Sequence, residues 1–481
     1  MFWRSFAKEI AALRRRLEVG DPAERRKVAR ELVDLCIIKD DPEDALPLLE
    51  ELLNDADSEI AAAAGRGLSA CAALAVEPLR RLLLHPQPEL RARACDSLGS
   101  MQDEVDRSAA QPDLLKALVD ADARVRGRAA FALGKMQDTA RITIDALAAM
   151  AGRDADARVR GSAMHALGNI GQEAAAHASI AAHRGLILAA LGDESDDMRW
   201  SAAYVLENVP LAPGQVLPRL LECISKETVE RPLTMMRGVL HGICEREDLA
   251  PHLPSLLALA AVQPRVRATV YSICGTLGKQ AASAAPLLAE ALAREDSASV
   301  LAARALLAIT GDRDQAIPVL RRMLEKPWAE AQAAAKLLLE LGEPAVSLAP
   351  MLQRALRESP DEPCGFICEM GDAATSLGGA LAPDLARAID ENFDASDWDL
   401  MWALTDALSA LRSSAPEVVT ALCRSLEHES DRVQVAAIRG LEAAGPAARA
   451  ALPALKELTG SVNQAGKVAR AAIRAIEAKT N

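Results

Sequence analysis

Apolar positions recur along the chain in two nested periods. Within short stretches they fall at i, i+4, i+7 and i+8: Val125, Ala129, Ala132 and Leu133 form one set, and Val159, Ala163, Ala166 and Leu167 form another. That spacing puts them on one face of an α-helix. The set itself then recurs. The octapeptide Asp-Ala-Asp-Ala-Arg-Val-Arg-Gly stands at 120–127 and again, unchanged, at 154–161, an offset of 34 residues. With Val125 as anchor, weaker copies align at Val28, Ile60, Leu90, Met198, Leu233, Val266, Val300, Ala331, Cys364, Leu400, Val433 and Val468, at spacings of about 30 to 39 residues. A second marker recurs independently. Pro47, Pro78, Pro112, Pro218, Pro254, Pro286, Pro318, Pro350, Pro383, Pro416 and Pro453 each precede or enter an apolar run. Proline suits the first helical turn, where its missing N–H is not needed. Each unit therefore reads as a first helix opened by proline, a polar turn, and a second helix beginning near the anchor. Glycine or a polar turn is expected to close it, as at Gly134 and Gly168.

Composition supports an all-α array. The chain has 481 residues, of which 98 are alanine; half are hydrophobic, only 2% aromatic and 26% charged. Alanine favours helices and their close approach, whereas a sheet protein would want β-branched and aromatic residues. No apolar run approaches the ~18 residues of a membrane span. The N-terminus is charged throughout and lacks the apolar core of a signal peptide, which points to the cytoplasm. Phe2, Phe6, Ile10, Leu13 and Leu17 share one helical stripe with Trp3 beside it, flanked by Arg4, Lys8, Arg14, Arg15 and Arg16. This is expected to be a helix capping the first repeat, with a membrane-surface contact as the alternative. Nine scattered cysteines do not make a disulfide framework. Cys364 and Cys368 have no neighbouring histidine and are not expected to hold zinc.

The pattern Pro-x-Leu-x-x-Leu, an Asp-rich turn, Val-Arg and Ala-x-x-Ala-Leu-Gly resembles the HEAT repeat, especially its short bacterial form. The resemblance is plainest at 76–205, 260–325 and 416–480, and weaker at 205–255 and 326–410. It implies a right-handed α-α superhelix of about 13–14 helix pairs, with second helices lining a concave face. It also implies that Asp122, Arg126, Asp156 and Arg160 form a structural ladder between turns. The expected segmentation is a capping helix at 1–20, an N-terminal block at 21–205 and a central block at 206–325, irregular over 206–255. Divergent acidic repeats follow at 326–410, and C-terminal repeats at 411–481.

At 100° per residue, positions two and six after the anchor face away from the buried stripe. They hold Trp200 and Trp402 at the first of these, and Phe131, His165 and Tyr204 at the second. Aromatic residues on an outward face are candidate anchors for a partner, the alternative being cover by neighbouring repeats. Residues 358–406 hold twelve acids against one base, Arg387, for a net −11 within a chain total of −13. Asp394, Asp397 and Asp399 lie there with Phe366, Phe393, Trp398 and Trp402. Acid beside aromatic suggests a site for a basic protein surface.

A search for chemistry finds no phosphate loop, no His-Glu-x-x-His and no nucleophile elbow. No catalytic residue, cofactor or metal site is assigned. The chain reads as a non-enzymatic scaffold or adaptor that binds a protein on its concave face and acidic segment. The alternatives are an inhibitor or immunity-type protein sequestering a basic enzyme, nucleic-acid binding resembling the HEAT-like DNA glycosylases, and a phycobilin lyase-like chaperone. The overall acidity counts against nucleic acid.

Overall fold

The computed structural model describes residues 3–38, 42–71, 73–101, 104–246, 248–394, 396–460 and 463–478. Every regular element among them is a helix. The fold is all-α, built of stacked helix pairs, and it divides into two compact units, Met1–Ile273 and Cys274–Asn481.

In the first unit the second helices are Pro22–Ile38, Ser58–Ala70, Pro88–Leu98, Ala123–Lys135, Ala157–Ile170, Asp196–Asn208 and Glu230–Arg246, and each packs on the next. The first helices form the other layer, and apolar residues fill the space between. In the second unit the second helices run through Ser299–Thr310, Trp328–Glu340, Asp361–Glu369, Trp398–Ala410, Asp431–Ala444 and Gln464–Ala478. The anchors Val28, Ile60, Val125, Met198, Leu233, Ala331, Cys364 and Val433 are all buried. In the last repeat the buried stripe is Ala465, Ala469, Ala472 and Ile476, so the anchor expected at Val468 is one turn late. Alanine carries the contact there, and hydropathy alone does not separate it from surface alanine.

Asp120 accepts a hydrogen bond from the Asp122 backbone N–H (2.8 Å), which forms the turn. Asp122 accepts one from the Arg124 N–H (2.9 Å) and caps the helix Ala123–Lys135. Asp154 and Asp156 repeat both bonds at 2.9 and 2.8 Å. The ladder acids are therefore Asp120 and Asp154, a correction of the expected Asp122 and Asp156. Arg91 donates twice to Asp120, at 2.7 and 2.8 Å, and Arg126 donates twice to Asp154 at the same distances. The paired guanidinium holds each of these carboxyls below the usual range. Among the described residues Arg160 donates to the Asp154 carbonyl (3.1 Å) and to no carboxylate. In the irregular stretch the ladder continues with a longer acid: Arg199 donates to Glu227 at 2.6 and 3.1 Å.

Two further expectations change. Pro47, Pro254, Pro286, Pro350, Pro416 and Pro453 stand in the first turn of their helices. Pro78, Pro112, Pro218, Pro318 and Pro383 lie inside theirs. Before Pro47, Pro254, Pro286, Pro350 and Pro453 a 3₁₀ turn leads in. The helices with internal proline start before it, and that of Pro383 is also led in by a 3₁₀ turn, Gly371–Leu377. Gly134 and Gly168 lie within helices and do not close them. A Cβ at Gly134 would stand 2.6 Å from Cα of Ala166, and one at Gly168 would strike the Tyr204 ring. These glycines let successive second helices approach.

The helix Trp3–Val19 buries Phe6, Ile10, Leu13 and Leu17 and packs on Pro22–Ile38. Phe2 lies outside the described residues, as do the side chains of Trp3 and Arg4. Arg14 pairs with Glu51 (2.5 Å), and Arg16 pairs with Glu24 (2.6 Å) and Glu31 (2.5 Å). The apolar stripe is used within the chain. Among the described residues no helix is long and apolar enough to cross a membrane.

Candidate partner-binding faces

The outward positions of the second helices come together in the first unit. Phe131, His165, Trp200 and Tyr204 belong to three successive helices, and their rings form one column. Phe131 stacks on His165 with centroids 6.4 Å apart and planes 10° apart. His165 lies 5.3 Å from Tyr204 and 5.5 Å from Trp200, and Trp200 and Tyr204 are stacked at 5.3 Å. Offset stacks of this kind add about 0.5–1.5 kcal/mol each beyond burial. The Tyr204 hydroxyl donates to Asn169 (3.1 Å) and accepts from Gln172 (2.7 Å). Phe131 keeps 39% of its surface exposed, while His165, Trp200 and Tyr204 are half-buried. The neighbouring repeats cover part of each ring and leave an aromatic rim.

His165 sits in the middle of this column. Its Nδ1 is buried and has no hydrogen-bond partner among the described residues. Burial pushes its pKa down, and the nearby Arg231 charge adds to that. The ring is therefore held neutral near pH 7.

Arg231 was not singled out by the pattern of apolar positions. Its guanidinium carbon lies 4.6 Å from the Trp200 ring centre, and its Nη1 donates to Asp197 at 2.5 Å. The second unit repeats the arrangement. Arg432 lies 4.2 Å over Trp402, and its Nη1 is 3.4 Å from Asp399. In both cases an acid three residues before a tryptophan, on the first turn of a second helix, holds an arginine from the next second helix. The signal was an Asp-x-x-Trp spacing answered about one repeat later by arginine, and it is legible only once the register between repeats is known.

The acidic segment supplies the second candidate face. Trp398 and Trp402 are on one helix, Trp398–Ala410. Trp398 is 51% exposed and meets His428 edge to face at 5.9 Å, as does Phe393. Arg424 covers the Phe393 ring at 4.5 Å and pairs with Asp390 (2.6 Å). Asp397 accepts the Leu400 N–H (3.0 Å) as helix cap. Asp394 and Asp399 are exposed at the same end. Part of the acid is thus answered from within by Arg424 and Arg432, while Asp394 and Trp398 are exposed.

Cys364 and Cys368 lie on the helix Asp361–Glu369. Burial pushes both thiols up, Cys368 to about 12, and Cys368 donates to Asp406 at 3.5 Å. Neither is a free thiolate near neutrality, the form that attacks an electrophile.

Residues 47–112 and 111–179 match the family of HEAT repeats. No curated protein sequence matches the chain. Among solved structures it is similar to importin beta, at 15% identity and a TM-score of 0.55 over 97% of this chain and 73% of the other. It is similar to Kap121p at 14% identity and a TM-score of 0.51, spanning 96% of this chain and 60% of that one. Kap95p, described in its binding to RanGDP, gives 15% identity and a TM-score of 0.53 over 98% of this chain and 74% of the other. At such identities the likeness is one of fold.

Proposed function

On the premise that the chain is an α-solenoid carrying HEAT repeats, we propose that it is a non-enzymatic scaffold that binds a protein partner. The contacts are the outward aromatic residues of the second helices, Phe131, His165, Trp200 and Tyr204, together with the acidic end around Asp394, Asp397, Asp399, Trp398 and Trp402. The observation that carries this reading is a continuous aromatic column on the outward positions of three successive second helices, in a chain with few aromatic residues. Rigid aromatic groups on an outward face give large contact area at small entropic cost. The net −11 of residues 358–406 favours a basic surface on the partner that meets the second unit. Kap95p binds Ran, and a protein partner is proposed here on the same kind of scaffold. The cytoplasm is the proposed location.

Trp398 and Phe131 are the test positions, because they are the most exposed of the aromatic residues in the set. Affinity capture from the native cell with quantitative mass spectrometry is compared for the wild type and for Trp398→Ala with Phe131→Ala. The expected result is loss of roughly 90% of the specifically captured partner, the tenfold effect of losing one good anchor, with little change in thermal midpoint. An unchanged set of captured proteins would overturn the proposal. A single basic enzyme held tightly in stoichiometric amount would instead support the sequestering role.

A further inference from the structure

The second-helix face of the first unit carries a groove of about 300 Å³ between the helices Ser58–Ala70, Pro88–Leu98 and Ala123–Lys135. It lies on the N-terminal side of the aromatic column, and Phe131 stands one turn beyond its edge residue Arg128 on the same helix. The floor is made of small residues, Ala61, Ala62 and Gly65, which bring a ligand close to the backbone.

Three arginines line this groove, and two have charge to spare. Arg93 is committed to the scaffold: it donates to the carbonyls of Leu53 (2.5 Å) and Asp55 (3.3 Å) and pairs with Glu89 (3.3 Å). Arg66 has no ion pair among the described residues. Arg128 has only a loose one, 3.6 Å from Asp96, with more than half of its side chain exposed. Between them lies Ser97. It is only 3% exposed, and its hydroxyl has no hydrogen-bond partner among the described residues. Seven residues after the anchor, the matching positions in the next two repeats are Ala132 and Ala166. Packing here calls for alanine, and burying an unused hydroxyl is costly. Its Oγ lies 3.1 Å from where a Cβ on Gly65 would stand, so it faces the groove floor.

We propose that this groove seats a carboxylate side chain of an extended acidic peptide segment that crosses the second helices of the first unit. Arg66 and Arg128 supply the charge-assisted hydrogen bonds and Ser97 a donor from below. A neighbouring apolar residue of the same segment meets Phe131. This rests on the reading of the second-helix face as a protein-binding surface and adds its partner chemistry. Asp96 and Glu89 at the groove wall, with a chain charge of −13, disfavour a continuous phosphate backbone and suit a discrete carboxylate.

The test uses the full chain. A random peptide phage library is selected on it, and one enriched peptide is synthesised with a fluorescent label for anisotropy titration. Enriched sequences are expected to carry Asp or Glu next to an apolar residue. Arg66→Gln with Arg128→Gln should weaken the labelled peptide roughly tenfold or more with an unchanged thermal midpoint, since both side chains are exposed. Ser97→Ala should weaken it several-fold without loss of stability, which a purely structural hydroxyl would not do. Selection without acidic bias, or an acidic peptide bound undiminished by the double arginine variant, would sink the inference. So would an oligothymidylate that binds more tightly than the peptide and loses the same factor in that variant. If the arginine variant retains the peptide while Phe131→Ala loses it, the groove assignment fails and the binding face stands. If neither change matters, the face itself is wrong.

Discussion

Gly134 meets Ala166 so closely that an added methyl group would stand 2.6 Å from its Cα and 2.7 Å from its Cβ. Both sides of that contact are backbone or short side chain, so neither can rotate away. Alanine in a helix interior is normally better than glycine by ~1 kcal/mol. Overpacking of this kind costs ~1–3 kcal/mol. The second effect wins, and Gly134→Ala should destabilise the chain by about 1 kcal/mol, read as a lower urea midpoint at unchanged slope. Gly127 provides the contrast. A Cβ there would meet nothing closer than 3.7 Å. Gly127→Ala should therefore raise stability by about 0.5–1 kcal/mol. The motif Ala-Leu-Gly was plain in the sequence, but glycine ending a helix and glycine admitting a neighbour look the same in one dimension. The difference lies in Ala166, 32 residues on.

The helices that carry the tryptophans are tied to their successors by matching clamps, Asp197–Arg231–Trp200 and Asp399–Arg432–Trp402. All six side chains are half-buried or exposed, so the ion pairs are screened and contribute little by themselves. The ring contributes more, because an arginine over tryptophan is worth ~0.5–1 kcal/mol at an exposed site. A double-mutant cycle of Arg231→Ala and Trp200→Ala should give a coupling of about 0.5–1 kcal/mol, and Arg432→Ala with Trp402→Ala a similar value. A coupling indistinguishable from zero would mean that the arginine does not hold the ring. The helix pairs, the buried stripe and the Asp-capped turns were legible in advance because they are local and recur. The aromatic column was legible in part: angle placed Phe131, His165, Trp200 and Tyr204 outward but did not show that each ring rests on the next. Arg231, Arg432 and the groove at Ser97 were not legible, since each depends on the lateral register of helices about 30 residues apart in sequence.

Contacts in stacked repeats are mostly between neighbours, so an effect that recurs in every turn adds along the chain. The ladder acids act in this way on stability, and one single group, His165, acts beside them. Asp120, Asp154 and Glu227 have pKa values held down, the two aspartates by their arginine hydrogen bonds and Glu227 by Arg199 and backbone N–H groups against the opposing effect of burial. The unfolded chain takes up these protons first, so the stability they supply is complete above the ordinary carboxylate range near ~4 and is lost as pH falls through the depressed folded values. His165 is also depressed, chiefly by burial. The unfolded chain protonates it first, below about 6.5, so its contribution begins to fall at a higher pH than the ladder's. Asp96, raised by burial, works in the opposite sense and softens the loss between the two windows. Thermal midpoints should therefore fall in two stages, a shallow one below about pH 6.5 and a steep one below about pH 4. His165→Phe, which keeps an aromatic ring in the column, should flatten the first stage and leave the second. Asp154→Ala should lower the midpoint near neutral pH, by the equivalent of about 2–3 kcal/mol for a charge-assisted pair left half-made, and shrink the second stage. Differential scanning calorimetry across the pH range reads both. A first stage that survives His165→Phe unchanged would show that the column is not what titrates there.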